Sequence, residues 1–351
     1  MTRRPTRVVN SVAPIRICDN GGWTDTWFAR RGAVFSIGVY PCAEVQIAVF
    51  EGGPGGIVLH ALDYGESYAL SSADSWGPHP LLEAAIAYGR VPVDLRVAVT
   101  IRSEAPSGAG TGTSAAVTVA LVAALDALTP GRLTPHEIAY AAQKVETEML
   151  GRQCGIQDQL ASAFGGINYI EMFAYPQANV SPIRPPDGVW WELERRLALV
   201  YLGKSHDSSA IHEQVIRELE NTGPDAPALQ DLRTTASRSR DAVLAGDFVA
   251  LGRAMIDNTE AQSRLHPALV GTEASRVIRI AREHGALGFK VNGAGGEGGS
   301  ITLLCDESSS RKRALLREIE GADSAFRHVP TYLSRAGVRV WTSVPGPGAL
   351  E

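Results

Sequence analysis

Apolar and polar positions alternate along the first fifty residues, and this pattern predicts β-structure. Alternating segments cover residues 7–19, 33–40 and 43–50, and another covers 95–101. Successive side chains of a strand point to opposite faces, so alternation is typical of strands with one buried face. Pro14 interrupts the first segment because proline cannot donate a hydrogen bond to a neighbouring strand. The N-terminal part is therefore predicted to form a β-rich sheet.

Helical spacing of apolar residues dominates much of the remaining chain. Helices are predicted at residues 80–88, 115–128, 135–150, 210–220, 271–284 and 308–319, with two more between 226 and 265. Thr134 and Glu137 form a capping-box pattern at the start of the third of these helices. Its C-terminal end carries Glu146 and Glu148, where negative charge is unfavourable unless a cation or solvent compensates it.

Strands are predicted at 196–201, 300–304 and 337–343, and with the last helix they indicate a helix-backed antiparallel sheet. The proline-rich segment 176–186 lies between the two parts and marks a domain boundary. We therefore predict two domains, residues 1–185 and 186–351.

A glycine-rich loop stands between the 95–101 strand and the following helix. Residues 105–116 alternate glycine with small side chains, including Thr111, Thr113 and Ser114. Uncovered N–H groups at a helix start favour a phosphate, and hydroxyl groups can bind phosphate or Mg²⁺. The alternative is an ordinary turn in which Thr113 or Ser114 caps the helix.

Polar residues surround a second glycine turn, Gly21-Gly22. Arg16, Asp19 and Asp25 cluster around it, and Trp23 follows directly. A carboxylate beside an aromatic ring is a common arrangement for binding sugar hydroxyls. The alternative is that Asp25 caps a turn and Trp23 belongs to the core.

A further acidic residue, Asp158, lies near the start of an apolar helix. Gln157 and Gln159 flank it and can hold its carboxylate by hydrogen bonds. Such a residue is either a first-turn charge that complements the helix dipole or a catalytic group.

Composition and charge exclude several classes of protein. The 351 residues, 44% of them hydrophobic, can bury the cores of two domains. A net charge of −5 without any Lys/Arg-rich block argues against nucleic acid as a partner. No apolar run reaches 18 residues, so we expect no membrane insertion and a cytoplasmic location. Zinc-ligand spacing is missing among the cysteines, which are Cys18, Cys42, Cys154 and Cys305.

The segment Gly293–Gly299 contains GxGxxG, the glycine pattern of dinucleotide-binding folds. Here it leads into a strand and not a helix, so it fails the structural requirement of those folds. No GxxxxGK[ST] pattern occurs, which also disfavours a P-loop kinase.

Three passages together resemble the three motifs of the GHMP kinases, named for galactokinase, homoserine kinase, mevalonate kinase and phosphomevalonate kinase. They are Ala13–Arg16, Pro106–Ala116 and Gly293–Gly299, in the family's order. Cys154–Gln159 is similar to the galactokinase passage that carries the catalytic Asp, and Gly21–Thr26 resembles fucokinases and heptose 7-phosphate kinases. The resemblance therefore points to the sugar 1-kinase branch.

The fold implied by this resemblance is α+β with two domains. An N-terminal domain like domain 2 of ribosomal protein S5 is expected to precede a ferredoxin-like, helix-backed antiparallel C-terminal domain. The active site would lie in the cleft between them.

The same resemblance implies an ATP site and a magnesium site. The loop residues implied for ATP are Pro106, Gly108, Gly110, Thr111, Gly112, Thr113, Ser114 and Ala115. Ser114 and Glu146 would hold Mg²⁺. Asp158 would accept or orient the proton of the acceptor hydroxyl, and Arg16 would stabilise the transferring phosphoryl group.

For the acceptor, the resemblance implies a sugar or sugar phosphate. The residues implied for binding it are Gly22, Trp23, Thr24, Asp25, Gly155, Gly293, Gly295 and Gly296. Galactose is disfavoured because Gly22 and Trp23 replace the acidic residue and histidine of galactokinases. The expected reaction is phosphorylation of the anomeric hydroxyl of a heptose (7-phosphate) or fucose-like sugar, feeding nucleotide-sugar synthesis.

Several alternatives stay open from the sequence. The chain could be another GHMP small-molecule kinase, of mevalonate or homoserine type, or a catalytically silent sugar and ATP sensor. Lys204 and His206 either meet a substrate phosphate or lie in a solvated loop. Glu297 departs from the family's glycine motif, since a carboxylate near phosphates would repel them. A homodimer is one possible assembly.

Overall fold

The computed structural model describes residues 4–50, 55–70, 76–129, 132–203 and 209–344. The strands are β1 (Arg7–Asn20), β2 (Gly32–Phe50), β3 (Gly56–Ala61), β4 (Glu66–Ala69), β5 (Arg96–Ser103), β6 (Ile167–Ala174), β7 (Gln177–Ile183), β8 (Leu197–Tyr201), β9 (Gly288–Val291), β10 (Ser300–Leu304), β11 (Arg327–Val329) and β12 (Arg339–Ser343). The α-helices are α1 (Pro80–Gly89), α2 (Thr113–Asp126), α3 (Pro135–Lys144), α4 (Gln157–Phe164), α5 (Asp187–Arg196), α6 (Ser209–Thr222), α7 (Pro227–Ala245), α8 (Phe248–Leu265), α9 (Thr272–Glu283) and α10 (Ser309–Ala322).

Two sheets organise the chain. Within the described residues, eight strands form the first sheet, in the order β12-β1-β2-β5-β3-β4 with β6 and β7 added through β2. The second sheet has the order β11-β8-β10-β9, and all its pairings are antiparallel. In these same segments no helix is both long and apolar enough to cross a membrane.

The long strand β2 is the centre of the first sheet. It pairs antiparallel with β1, β5 and β6 along different parts of its length. The strands predicted at 33–40 and 43–50 are therefore one continuous strand. The register between β1 and β2 shifts between Pro14 and Ile15, where proline removes a hydrogen-bond donor. Beyond this shift, β1 carries Arg16 and Asp19.

The strand predicted at residues 337–343 is present as β12, but it does not belong to the second sheet, so its predicted sheet membership is wrong. β12 pairs with β1 in the first sheet, and β11 takes the edge beside β8. Backbone hydrogen bonds also hold the residues just before β12 to the N-terminal half. The Gly166 N–H donates to the Ser334 carbonyl at 2.7 Å, and the Val338 N–H donates to the Ala163 carbonyl at 3.1 Å. Sheet membership follows from these distant pairings, which the pattern within a strand does not encode. The predicted domain boundary between residues 185 and 186 stays a prediction.

Two elements near the predicted boundary were not anticipated. Strand β7 lies within the proline-rich segment, where it tolerates Pro182 because it pairs on one side only, with β6. Helix α5 follows directly and buries two side chains, Trp190 and Leu193. This apolar stripe is too narrow for periodicity to stand out in the sequence.

Buried apolar side chains connect the N-terminal and C-terminal halves of the chain. In the N-terminal half, the buried helix α2 packs against β1, β2, α1, α3 and α4. A second apolar cluster combines Ile15 and Phe35 of the first sheet with Val243 of α7 and with Leu251 and Met255 of α8. Each such buried side chain contributes roughly 1.5–3 kcal/mol, so the two halves are held together where β1 ends.

Candidate active site

The glycine-rich loop presents the start of helix α2 without a side-chain cap. Gly108, Gly110 and Gly112 have φ angles of +68°, +69° and +67°, which favour glycine. Gly112 is the N-cap residue of α2 and makes no side-chain capping bond. The alternative in which Thr113 or Ser114 caps this helix is therefore wrong. N–H groups at the start of α2 are available to an anionic ligand, and Ser114 beside them is exposed.

The third glycine motif packs against this loop. A Cβ on Gly110 would lie 2.8 Å from the Asn292 carbonyl oxygen, and one on Gly293 would lie 2.9 Å from the Gly110 carbonyl oxygen. Ser300 Oγ donates to the Ala109 carbonyl at 2.6 Å. The two backbones approach too closely for larger residues, which explains glycine at both positions.

The rest of that motif points elsewhere. A Cβ on Gly295 would lie 2.3 Å from the Leu269 carbonyl oxygen, and the Gly296 N–H donates to the same oxygen at 2.9 Å. Both glycines, like the exposed Glu297, lie outside the lining of the two cavities described below. Glu297 therefore does not line either cavity.

A buried arginine and an aspartate form the centre of the site. Arg16 Nε donates to Asp158 Oδ1 at 2.9 Å and its NH2 group to Oδ2 at 3.2 Å. The NH1 group of Arg16 also donates to the Gly110 carbonyl. Burial works to lower the pKa of Arg16, but the carboxylates of Asp158 and Asp19 outweigh it and hold that pKa above its ordinary value. Arg16 is thus a fixed positive charge between loop and aspartate.

Asp25 caps helix α4 from 131 residues away. Its Oδ2 accepts hydrogen bonds from the backbone N–H groups of Ile156 and Gln157, both at 3.0 Å. A Cβ on Gly155 would lie 1.9 Å from that oxygen, so glycine is required there. Burial raises the pKa of Asp25 to about 6. Asp158 follows in the first turn of α4, so Asp25 helps to place it.

The two glutamates after α3 differ in environment. Residues Val145–Met149 form a π-helical turn, a feature often found at functional sites. Glu146 is buried there and its Oε1 accepts from Gln159 Nε2 at 2.9 Å, whereas Glu148 is exposed. Burial, with a smaller contribution from Asp158, raises the pKa of Glu146. Solvent can therefore compensate the charge of Glu148, whereas the buried Glu146 is the candidate metal ligand.

Two cavities meet at the central pair. The larger one, about 980 Å³, follows the glycine-rich loop, and the smaller one, about 400 Å³, lies on the other side. Both are lined by Arg16, Ser114, Asp158, Gly293 and Ala294. A donor molecule in one cavity and an acceptor in the other would therefore react beside Arg16 and Asp158.

The larger cavity collects most of the predicted nucleotide residues, namely Pro106, Gly108, Gly110, Gly112, Thr113 and Ser114. Ala115 lines the smaller cavity instead. Thr111 is outside both linings; its side chain is buried, with Oγ1 3.1 Å from Thr113 Oγ1, and its carbonyl accepts from the Arg16 N–H.

The smaller cavity contains Trp23, Asp25, Gly155, Glu146 and Asp158. Gly22 and Thr24, predicted to bind the acceptor, are not part of its lining. Thr24 Oγ1 donates to the Gly21 carbonyl at 2.7 Å and accepts from the Ala33 N–H at 3.1 Å, so it stabilises the turn.

Several residues that line this cavity are not among the predicted site residues, namely Thr26, Trp27, Phe28, Gln153, His212 and Ile216. The aromatic pair Trp27-Phe28, two residues after Asp25, is a signal that the sequence does contain. For His212 on α6 the sequence contains no such signal, because its place in the cavity depends on a contact with the distant Trp23. The ring centroids of these two residues are 5.5 Å apart. Lys204 and His206, considered for a substrate phosphate, lie outside the described residues.

Comparisons with known proteins identify the family. The GHMP kinase N-terminal domain matches residues 81–166 and the GHMP kinase C-terminal domain matches 239–318. The heptose 7-phosphate kinase of Campylobacter jejuni is 26% identical over 239 residues, 68% of this chain and 69% of that protein. The mevalonate kinase of Thermococcus sibiricus is 31% identical over 252 residues, 70% of this chain and 69% of that protein.

A solved structure supports the fold. The D-glycero-D-manno-heptose 1-phosphate kinase from Bacteriodes thetaiotaomicron superposes with a TM-score of 0.72 at 23% identity, covering 95% of this chain and 98% of that one. The predicted two-domain α+β fold is thereby confirmed. The chain belongs to the GHMP kinases, a family of ATP-dependent kinases.

Proposed function

We propose that this kinase transfers the γ-phosphoryl group of ATP to a hydroxyl group of a sugar. The preferred acceptor is the anomeric hydroxyl of a heptose (7-phosphate) or of a fucose-like sugar, as a step towards nucleotide sugars. The observation that carries the proposal is the junction of the two cavities at Arg16, Ser114 and Asp158. ATP along the glycine-rich loop and a sugar in the smaller cavity would meet there.

The lining of the smaller cavity favours a sugar. Trp23, Trp27 and Phe28 line it with aromatic rings, against which the C–H groups of a sugar would pack, while Asp25 and Gln157 add hydrogen-bonding groups for its hydroxyls. This mixture of aromatic and polar groups suits a ring that is apolar on its faces and polar at its edges.

Charge disfavours the acids used by other GHMP kinases. Mevalonate and homoserine carry a carboxylate, and Asp25, Glu146 and Asp158 already border this cavity. Among the lining residues that the structure describes, Arg16 is the single arginine or lysine, and it is paired with Asp158. A sugar phosphate would need a further cation, for which Lys204 and His206 stay candidates.

The central pair can supply the chemistry of transfer. An ionised carboxylate has about four acceptor positions, so Asp158 can hold Arg16 and also accept a hydrogen bond from the acceptor hydroxyl. As that hydroxyl attacks, Asp158 would orient it and take its proton. Arg16 would stabilise negative charge on the transferring phosphoryl group, and its burial strengthens that effect.

Glu146 and Ser114 fit a magnesium ion bound together with the nucleotide. Both line the smaller cavity beside Asp158, and Mg²⁺ typically uses one or two carboxylates plus substrate phosphates. Within the described segments, no group of three or more His, Cys, Asp or Glu residues is placed to hold a metal ion. When bound, the ion would neutralise phosphate charge and the buried Glu146.

An ADP-release assay with Mg²⁺ and ATP tests the acceptor. The panel contains heptose 7-phosphate, heptose, fucose, mannose, galactose, arabinose and glucuronate, with mevalonate and homoserine as competing acceptors. One sugar should give turnover. Turnover on mevalonate or homoserine alone would refute the sugar assignment, and ATP binding without any turnover would indicate a sensor.

The Asp158→Asn variant tests the mechanism. It should lower kcat by about 100-fold or more while the Kd for ATP changes little, because the role proposed for Asp158 is towards the acceptor hydroxyl and not towards the nucleotide. Asp94→Asn, at an exposed turn, is the matched control and should retain full turnover. Unchanged kcat in Asp158→Asn would remove Asp158 as the proton acceptor.

A further inference from the structure

A buried lysine lies beneath the active site without lining either cavity. Lys290 of β9 is 1% exposed, although lysine is rarely buried unless it is paired. Its Nζ lies 3.3 Å from Asp19 Oδ1 and donates to Gln262 Oε1 at 3.2 Å and to the Val291 carbonyl. Three acceptors match the three N–H groups of a charged ammonium.

Asp19 connects this lysine to the catalytic arginine. Its carboxylate is fully buried and lies 3.8 Å from the NH2 group of Arg16. Positive and negative charges therefore alternate from the second sheet to the junction of the cavities: Lys290, Asp19, Arg16 and Asp158. Each inner charge has one partner on either side.

The same groups hold the glycine that touches the phosphate loop. The Gly293 N–H lies 3.2 and 3.1 Å from the two oxygens of Asp19, and the Gly293 carbonyl accepts from Gln262 Nε2 at 3.1 Å. Lys290 contacts both Asp19 and Gln262. It is thus the common partner of the two side chains that fix Gly293 against Gly110.

We propose that the buried Lys290–Asp19 pair is a positioning device for the phosphoryl-transfer step. Lys290 neutralises Asp19, so that Arg16 remains bound to Asp158 at 2.9 Å and is not drawn towards Asp19 at 3.8 Å. Without Lys290, Asp19 would be a buried carboxylate with Arg16 as its nearest cation, and low local dielectric would strengthen that attraction. The proposal rests on the roles given to Arg16 and Asp158 above.

The test compares Lys290→Met, Asp19→Asn and the double variant. In each single variant one buried charge loses its partner: in Lys290→Met the Asp19 carboxylate attracts Arg16, and in Asp19→Asn the Lys290 ammonium repels it. Either displacement of Arg16 should lower kcat by about 10-fold or more, while the Kd for ATP changes by less than about 3-fold. In the double variant neither buried charge acts on Arg16, which keeps Asp158 as its partner, and kcat should return to within about 3-fold of wild type. Turnover is measured with whichever acceptor the wild type uses, so the outcome does not depend on that acceptor being a sugar.

Lys312→Met is the matched control for loss of an internal lysine. Lys312 is half-buried and donates to the Arg195 and Leu197 carbonyls, away from the junction. This variant should lose stability and keep wild-type kcat. If the Lys290→Met and Asp19→Asn proteins fold, as judged by circular dichroism, and keep wild-type kcat, the proposal is wrong.

Two further readouts keep the proposal testable. If the single variants do not fold, the double variant decides: a folded double variant that has lost about 10-fold or more in kcat contradicts charge balance as the role of the pair. A crystal structure of Lys290→Met should show Arg16 closer to Asp19 and further from Asp158. Unchanged distances would overturn the proposal, even if no acceptor gives turnover.

Discussion

Replacing Asp25 by Asn should stabilise the protein at neutral pH while weakening acceptor binding. Burial raises the pKa of this carboxyl group from 3.8 to about 6, so its ionised form is less stable in the folded chain than in the unfolded chain. One pKa unit corresponds to about 1.36 kcal/mol. The gap between the two values therefore amounts to about 3 kcal/mol.

The sign follows from protonation. Below pH 3.8 the carboxyl group is protonated in both states and the cost is absent. As the pH rises through the folded pKa of about 6, the cost develops fully and stability is lost. Asparagine keeps an oxygen for the N–H groups of Ile156 and Gln157 but carries no charge. The Asp25→Asn protein should therefore gain up to about 3 kcal/mol over wild type above pH 7, and only about 0.6 kcal/mol at pH 4.

The assay is urea unfolding followed by tryptophan fluorescence between pH 4 and 8, with kcat/KM for the acceptor measured on the same samples. Asp94→Asn removes a carboxylate from an exposed turn and should show no such pH-dependent gain. The reasoning fails if Asp25→Asn is less stable than wild type at pH 7.5, or if its advantage does not grow between pH 4 and 7.

Two other substitutions test the site. Gly155→Ala would place a Cβ 1.9 Å from Asp25 Oδ2, so it should lower the free energy of unfolding in urea by about 1–3 kcal/mol and reduce kcat. Gly188→Ala is the control and should not destabilise the protein, because no atom lies within 4 Å of the added Cβ. Equal stability of the two variants would contradict the clash. Glu146→Gln should raise the Mg²⁺ concentration for half-maximal turnover by about 10-fold or more. Glu148→Gln, at an exposed position, should leave that concentration unchanged. An unaltered Mg²⁺ dependence in Glu146→Gln would exclude Glu146 as a ligand.

Local rules predicted the parts of the molecule that are local in sequence. The capping box of Thr134 and Glu137 is present at the start of α3. The strand, glycine-rich loop and helix around residues 105–116 also appear in that order. Each of these features depends on residues a few positions apart, so short-range chemistry was sufficient.

Features that depend on distant partners could not be predicted in this way. Asp25 caps α4 across 131 residues, and Lys290 reaches Asp19 from another sheet. A lysine within an apolar strand looks like an outward-facing residue until tertiary packing buries it. The sheet to which β12 belongs was predicted wrongly for the same reason, since its partner strand β1 lies at the other end of the chain.

The proposed sugar site and the proposed transfer pair share one backbone segment. Asp25 holds the first turn of α4 through two hydrogen bonds of 3.0 Å. Asp158 belongs to that turn and Arg16 is bound to it. A hydroxyl that binds Asp25 therefore acts on the group that fixes Asp158. Acceptor recognition and placement of the proton acceptor are consequently coupled, so changes at Asp25 should alter kcat as well as KM.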